Sequence, residues 1–460
     1  MEVTAEYERK LEAPEGFELP DLGGDPLETR VFTSVYYDTA AGSLARAGIT
    51  LRRRTERGKS VWQLKLPTAD ARLELEEPGG PAEIPESLRK LLRAHLRHGP
   101  VAPVAELRTR RHGSLVARNG TTAEVTVDEV AVMDALRVAQ EFVEVEIELR
   151  GGSPKRLDEI VGEVAEAGAR PTDGTPKVFR ALGIAAVKAD SSAEPFERLR
   201  ALLRTQLREI LAHDPGTRLG TDPESLHDMR VAVRRSRALL LAGRKLIAAD
   251  TQALEDELRW IGSVLGSVRD LDVMLAHLHE KAAELGPPDT KTAERLLRKL
   301  EQRRTRARRA LLRALDSDRY LSLLDRFEQE IEALQPSGAD TSLDALARKQ
   351  VKKLHEAVSA LDDDPPDAAL HALRKLGKRA RYASELAGHD DVVKRAKELQ
   401  DVLGEHQDAV VAEETLRELA AAASPPEALA AGRLVEDERE RRAEARATWW
   451  KAWKRLKRAA

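Results

Sequence analysis

The apolar residues of this chain change their period near residue 190, and that change limits the fold more than any other feature of its 460 residues. Before it, short runs alternate polar and apolar, the two-residue period of a half-buried strand. Beyond it, apolar residues recur at the 3.6-residue spacing of an amphipathic helix. One period cannot serve both kinds of element. The chain is therefore expected to be α+β in two domains: a β-rich N-terminal domain over residues 1–184, a linker over 185–193 and an all-α domain over 194–460. Its length agrees, since one core rarely supports this many residues.

In the first domain, Gly23-Gly24 and Pro78-Gly79-Gly80-Pro81 punctuate the strands, and helices are expected around 85–97 and from Pro154 to about Gly168. The strands share an unusual trait. Side chains alternate between faces, so Glu6, Glu8 and Lys10 of Glu6-Tyr7-Glu8-Arg9-Lys10 share one face. The same rule groups Arg52 with Arg54, sets Lys65 opposite Trp62 and Leu64, and aligns Arg72, Glu74 and Glu76. It also pairs Arg108 with Arg110 in Leu107-Arg108-Thr109-Arg110, alternates Glu124 through Asp128, and collects Glu144, Glu146 and Glu148 opposite Val143, Val145 and Ile147. Any one of these strands reads equally well as a sheet with one wet face. As a set they are mostly charged, and they divide into carboxylate strands and Arg/Lys strands. If they close into a barrel, the charged faces line a lumen and the apolar faces pack against helices. Carboxylates beside ammonium groups suit a divalent metal and phosphate oxygens, and burying them for stability alone is unfavourable.

These residues resemble the CYTH domain, the triphosphate tunnel metalloenzymes. Glu6-x-Glu8-x-Lys10 matches the opening signature. Tyr36-Tyr37-Asp38-Thr39 with Leu44, Gly48 and Leu51-Arg52-x-Arg54 matches the second block. Arg72-x-Glu74-x-Glu76 and Glu144-x-Glu146-x-Glu148 resemble later blocks, and Lys177 with Arg180 sits where the family closes with basic residues. The match covers roughly residues 1–185. The resemblance implies a closed antiparallel eight-stranded β-barrel tunnel that binds triphosphate with Mg²⁺ or Mn²⁺. Glu6, Glu8, Asp128, Glu144, Glu146 and Glu148 become metal ligands. Lys10, Arg52, Arg54, Lys65, Arg72, Arg108, Arg110, Lys177 and Arg180 become phosphate ligands, and Glu6, Glu8 and Lys10 carry the chemistry. Oxygen ligands suit either metal, and water attacks without a protein nucleophile.

The helical half repeats itself. His227-x-x-Arg230-x-x-x-Arg234-Arg235-x-Arg237 recurs 144 residues later as His371-x-x-Arg374-x-x-x-Lys378-Arg379-x-Arg381. Leu265-Gly266-x-x-Arg269-Asp270 recurs 138 residues later as Leu403-Gly404-x-x-Gln407-Asp408. Offsets of 0, 3, 7 and 10 lie along one helical stripe. Like charges stacked this way repel, so a stripe built twice indicates a polyanion partner; a solvated basic face, or pairing with Asp270 and Asp408, is the structural alternative. The pattern resembles the CHAD family, conserved-histidine α-helical domains often fused after CYTH domains, over roughly residues 194–440. It implies two helical bundles related by a pseudo-twofold, their basic helices facing a pore that holds inorganic polyphosphate. The matched ligands are His227, Arg230, Arg234, Arg235, Arg237, His371, Arg374, Lys378, Arg379 and Arg381, with Arg303, Arg304, Arg308, Arg309, Arg348, Lys349, Lys352 and Lys353 as weaker ones. Lys378 and Gln407 depart from the first repeat, and lysine binds phosphate as a point charge where arginine offers a fork.

Composition removes other classes. The chain has no cysteine, which excludes disulfide scaffolds, thiol catalysis and cysteine-ligated zinc. No apolar run reaches the roughly 18 residues of a membrane span. Net charge is −3, so general attraction to nucleic acid is not indicated. A cytoplasmic protein is expected, with no membrane partner and no specific nucleic acid, and with polyphosphate granules as one location; self-association is left open. The basic tail with Trp449, Trp450 and Trp453 either packs on the last helices or meets a membrane or nucleic acid. The expected function is metal-dependent hydrolysis of inorganic triphosphate or polyphosphate, with the helical domain holding long polyphosphate. The alternatives are a non-catalytic polyphosphate-binding protein of granules, and a hydrolase of nucleoside or thiamine triphosphates.

Overall fold

A computed structural model gives the structure, which describes residues 2–68, 71–80, 83–135, 137–172, 176–182, 194–338 and 342–460; of Arg180 and Ala181 only the backbone is described. The chain forms two compact units, Met1–Ala189 and Asp190–Ala460. The expected linker, 185–193, lies outside the described residues.

The first unit is one antiparallel sheet: β1 (Glu2–Glu6), β2 (Glu8–Ala13), β3 (Asp25–Pro26), β4 (Arg30–Thr39), β5 (Thr50–Glu56), β6 (Lys59–Pro67), β7 (Arg72–Pro78), β8 (Val101–Arg118), β9 (Thr121–Asp134), β10 (Arg137–Gly151) and β11 (Arg170–Pro171). Short helices intervene: α1 (Ser43–Arg46), α2 (Glu86–Leu91), α3 (Arg93–Leu96), α4 (Leu157–Glu166) and α5 (Lys177–Ala181). Strand order is β1-β7-β6-β5-β4-β8-β9-β10-β2-β11, with β3 beside β8. The ladder is open, which corrects the closed eight-stranded barrel. The cause lies at Tyr7, where the first strand changes partner. Glu6 pairs with Arg72 of β7, whereas Glu8 pairs with Glu148 of β10. β1 and β2 are successive segments of one stretch and cannot hydrogen-bond to each other.

Register follows from the apolar face. Val143, Val145 and Ile147 of β10 pack with Val125 and Val127 of β9, Leu11 of β2 and Leu157, Ile160 and Val164 of α4. Each such side chain contributes about 1.5–3 kcal/mol when fully buried. A one-residue slip would turn the whole set to the wrong face. With the valines held on α4, Glu144, Glu146 and Glu148 must point the other way.

The second unit is helical: α6 (Pro195–Leu219), α7 (Pro223–Gly243), α8 (Gln252–Glu284), α9 (Asp289–Leu315), α10 (Asp318–Ala333), α11 (Leu343–Ser359), α12 (Asp367–Ala387), α13 (Asp390–Ala421) and α14 (Pro425–Ala459). Asp222 starts α7 by accepting from the Glu224 and Ser225 amides, at 2.9 and 3.2 Å, with Pro223 at the first helical position. The expected split into two bundles is not clean. One core draws Leu278 of α8 and Leu296 of α9 together with Leu416 of α13 and Leu434 of α14. In another, Trp449 and Trp453 pack among Leu354, Leu373 and Leu399, so two of the three tail tryptophans are structural; Trp450 is exposed. Among the described residues, no helix is long and apolar enough to cross a membrane.

Candidate functional site

The inner face of the sheet encloses a cavity of about 250 Å³ whose lining is almost wholly charged or polar. Glu6, Lys10, Arg52, Arg54, Lys65, Arg72, Glu146, Glu148 and Lys177 all line it, as the alternation requires. Glu8 is beside them, 3.5 Å from Lys10 and 3.8 Å from Arg72.

The cavity has a neutralised middle. Lys10 donates to Glu146 at 2.8 Å and lies 3.5 Å from Glu144. Arg111 grips Asp128 with both arms of its guanidinium, at 2.7 and 2.6 Å, and also reaches Glu146. Lys177 meets Asp128 and lies 3.1 Å from Glu146. Burial alone would push the Glu146 carboxyl up, but Lys10, Lys177 and Arg111 outweigh it and hold it well below the usual range. Asp128, expected as a metal ligand, is fully buried between Arg111 and Lys177. Its geometry is that of a buried ion pair that positions the two cations.

Two zones flanking this centre are unbalanced. At one, Arg30, Arg52 and Arg54 crowd together; burial, then the charges of Arg52 and Arg30, depress the Arg54 pKa. Arg52 is aimed by Gln63, at 2.8 Å, and by the Tyr36 hydroxyl, at 3.1 Å. At the other, burial and then the neighbouring Glu6 charge push Glu148 up to about 7. Glu6 is itself raised, first by burial and further by Glu74 and Glu8, although Lys65 donates to it at 2.7 Å. One zone thus has an excess of positive charge and the other an excess of negative charge.

The donor set is chemically suited to Mg²⁺ or Mn²⁺: carboxylate oxygens only, with Glu6 and Glu148 repelling each other. Among the described residues no three histidine or carboxylate side chains converge as a metal cage. Lys65, Lys10 and Lys177 hold several of them instead, so a cation entering beside Glu6 competes with Lys65.

Two expected phosphate ligands are misplaced. Leu107, Thr109 and Arg111 share the inner face of β8, whereas Arg108 and Arg110 are exposed on the other, with Arg110 paired to Glu129 at 2.9 Å. Arg111 takes the inner role. The pair Leu107-x-Thr109 carried the signal, because it sets the inward parity two residues before Arg111. The Arg180 side chain lies outside the described residues. Asp38 of the second block is structural: its carboxylate accepts from the Thr39, Leu44 and Ala45 amides and caps α1. Arg30, Gln63 and Arg150 also line the cavity and were not singled out in the sequence; Glu124, marked by alternation, and Tyr36 of the second block line it too.

In the helical unit, α7 and α12 pack on each other, bringing the two stripes together. Arg230, Arg234, Arg237, Lys378 and Arg379 line a cavity of about 670 Å³. Arg374 couples to Arg234 and Arg230 couples to Arg374, so the repeats share one positive field. The Nε atoms of Arg234, Arg237 and Arg374 are buried without hydrogen-bond partners among the described residues. Buried donors left this way cost about 1–3 kcal/mol each, a cost that an anion would remove. The second repeated motif supports the first. Asp270 pairs with Arg230 at 3.0 Å, and a Cβ on Gly266 would sit 3.3 Å from the Arg230 Nε; Gly404 faces Arg374 in the same way, at 3.5 Å.

Other members of the stripe stand apart. Arg235 pairs with Glu385 of α12, and Arg381 covers the Tyr382 ring at 4.6 Å. His227 and His371 do not line the cavity. Burial and then Arg269 lower the His227 pKa; burial and then Lys375 lower that of His371, which favours the neutral imidazole in both. Of the weaker candidates, Lys353 lines the cavity, while Arg303 and Arg304 pair with Glu418 and Asp272, and Arg308 donates to the end of α6.

Lys378 is the odd residue. Burial, followed by Arg374, Arg234 and Arg230, pushes its pKa down to about 7. Below pH 7 it is charged already; above, an anion must draw a proton onto it, so anion affinity falls as pH rises. We expect polyphosphate affinity to drop by up to about tenfold per unit above pH 7, and Lys378→Arg to flatten the profile. Titration calorimetry at pH 7–9 in buffers of differing ionisation heat reads the proton uptake. Equal profiles for both proteins would remove Lys378 from the site.

A CYTH domain model matches residues 4–174 and a CHAD domain model matches residues 201–417. The uncharacterized proteins MT2285 and Rv2226 of Mycobacterium tuberculosis are each 32% identical over 461 residues, spanning 91% of this chain and 89% of theirs. Among solved structures, PptA from Streptomyces chartreusis is similar at 26% identity and TM-score 0.50, covering 56% of this chain and 99% of that one. The CHAD domain from the plant Ricinus communis is 28% identical, with TM-score 0.45, covering 59% and 94%. CYTH domains form the triphosphate tunnel metalloenzyme family, which binds triphosphates and depends on a divalent metal. The chain belongs to the CYTH–CHAD family, with a CYTH domain followed by a CHAD domain.

Proposed function

We propose that the N-terminal unit is a divalent-metal-dependent triphosphatase acting on inorganic triphosphate or polyphosphate chains, and that the helical unit holds long inorganic polyphosphate. The observation that carries the first part is the 250 Å³ charged cavity with one positive and one negative zone. A bare phosphate chain offers only oxygens and charge, which is what this lining meets. The volume is below the ~300–1,000 Å³ typical of pockets that enclose drug-sized organic ligands, which favours an inorganic substrate over a nucleoside or thiamine triphosphate.

In this reading Arg52, Arg54 and Arg72 bind phosphate oxygens, with Gln63 and Tyr36 fixing the Arg52 fork. Lys10, Arg111 and Lys177 keep their geometry through Glu146 and Asp128, so they stabilise developing charge without having to reorganise. Glu6 and Glu148, with Glu8, would hold Mg²⁺ or Mn²⁺. When bound, the metal neutralises phosphate oxygens and activates water. The helical part rests on the shared Arg/Lys field of α7 and α12 and its unpartnered Nε atoms.

The test is phosphate release from tripolyphosphate, long-chain polyphosphate, ATP and thiamine triphosphate, with Mg²⁺ or Mn²⁺. The inorganic substrates should turn over faster than the organic ones. No release from any of them would favour a non-catalytic polyphosphate-binding protein.

A further inference from the structure

The helical cavity offers more than a bare phosphate chain needs. Cations reach it from α7, α8, α11 and α12, through Arg234, Arg259, Lys353 and Lys378, but Ala238, Leu241, Ala242, Leu258 and Leu346 also line it as an apolar wall. Leu241, a large apolar side chain, is 46% exposed. Inorganic polyphosphate has no apolar surface to bury and gains nothing from such a wall. At about 670 Å³ the cavity also falls within the size range of organic-ligand pockets, unlike the tunnel. Tyr382 adds an independent mark. It lines the cavity, is only 3% exposed, and its hydroxyl has no hydrogen-bond partner among the described residues. Ser263 and Gln350 also line the cavity.

From this juxtaposition we infer that the cavity between α7, α8, α11 and α12 is a binding site for a nucleoside polyphosphate. Its phosphates lie on Arg230, Arg234 and Lys378, and its base and ribose lie against the Leu241–Leu258–Leu346 wall. The polar groups scattered around the cavity distinguish a nucleoside from an alkyl chain. A base and ribose have donors and acceptors to offer Tyr382, Ser263 and Gln350, whereas a lipid tail has none. The inference goes beyond polyphosphate capture, and shares with it only the premise that the stripe binds phosphate. The two ligands would then compete for the same arginines.

The test uses the full chain carrying Arg52→Ala and Lys65→Ala, to silence the tunnel, in EDTA. Calorimetry should find ATP binding about tenfold or more tighter than tripolyphosphate, as expected where a base gains a surface to stack or pack on. Leu241→Asn and Tyr382→Phe should each weaken ATP by about three- to tenfold while changing tripolyphosphate by less than twofold. Tyr382→Phe is informative because removing an unpaired buried hydroxyl leaves the fold no worse off. Equal affinity for ATP and tripolyphosphate, or equal loss of both in Leu241→Asn, would overturn the inference. Octyl phosphate binding as tightly as AMP would overturn the nucleoside assignment. Arg234→Ala should weaken ATP. If it weakens ATP but not polyphosphate, the polyphosphate reading fails and this one stands; if it leaves ATP unchanged, this one fails.

Discussion

Glu6→Gln should lower phosphate release from tripolyphosphate on the order of 100-fold or more, the loss typical when a preorganised electrostatic partner is removed. Its melting temperature should change little. Glu6 is already held in an unfavourable charge state by burial and by Glu74 and Glu8, so a neutral isostere relieves repulsion while giving up the contact with Lys65. Glu8→Gln should lose activity similarly but with a stability cost of about 1–3 kcal/mol. Its carboxyl is held below the usual range because Lys10, Lys65 and Arg72 outweigh burial, and the substitution leaves Lys10 and Arg72 less well paired. Phosphate release and thermal unfolding on the same preparations separate the two effects. If both variants hydrolyse at the native rate with either metal, the strand is structural and the proposed chemistry is wrong.

The second large effect belongs to the helical unit. Charge reversal of Arg234 together with Arg374 should reduce the affinity of the full chain for long polyphosphate by more than about 100-fold, since each residue lies in the field of the other and both helices face one cavity. Binding should need no divalent metal and should fall steeply with salt, because each contact releases counterions. Lys454→Glu with Arg455→Glu in the tail should change affinity by less than about threefold, the scale of a surface charge. Lys454 sits over the exposed Trp450 ring, at 5.5 Å, on a helix whose other two tryptophans are buried. Duplex DNA at matched phosphate should compete poorly. If the tail variant proves as damaging as the stripe variant, or DNA competes equally, general basicity accounts for the binding.

What could be read from the chain alone was the arrangement that repeats with a fixed period. Glu144, Glu146 and Glu148 alternate with Val143, Val145 and Ile147, so their face was settled once the valines were assigned to a core. The helical stripes were legible for the same reason. Arg108 and Arg110 were misassigned because a strand containing arginine at three of four successive positions, 108, 110 and 111, gives no charge pattern. Only the burial of Leu107 and Thr109 decides the parity. Long-range partners were illegible in a different sense. Nothing in the sequence near Arg235 indicates that it meets Glu385, or that Asp128 would be enclosed by Arg111 and Lys177. Those facts depend on which helices and strands become neighbours. The open ladder escaped for a similar reason: alternation continues through Tyr7, while the hydrogen-bonding partner changes there.

That change of partner makes Glu2–Ala13 a zip fastener with two unequal halves. β2 is anchored by Leu11, which is completely buried, and pairs with both β10 and β11. β1 exposes four of its five residues and, among the described strands, pairs with β7 alone. Strands with so little buried surface open first in local unfolding. Glu6 closes the weaker half, and it is one of the carboxylates assigned to the metal. With Glu6 assigned to the metal, a bound cation adds a contact that holds β1 to β7, and without it that pair of strands is the part of the sheet expected to open first.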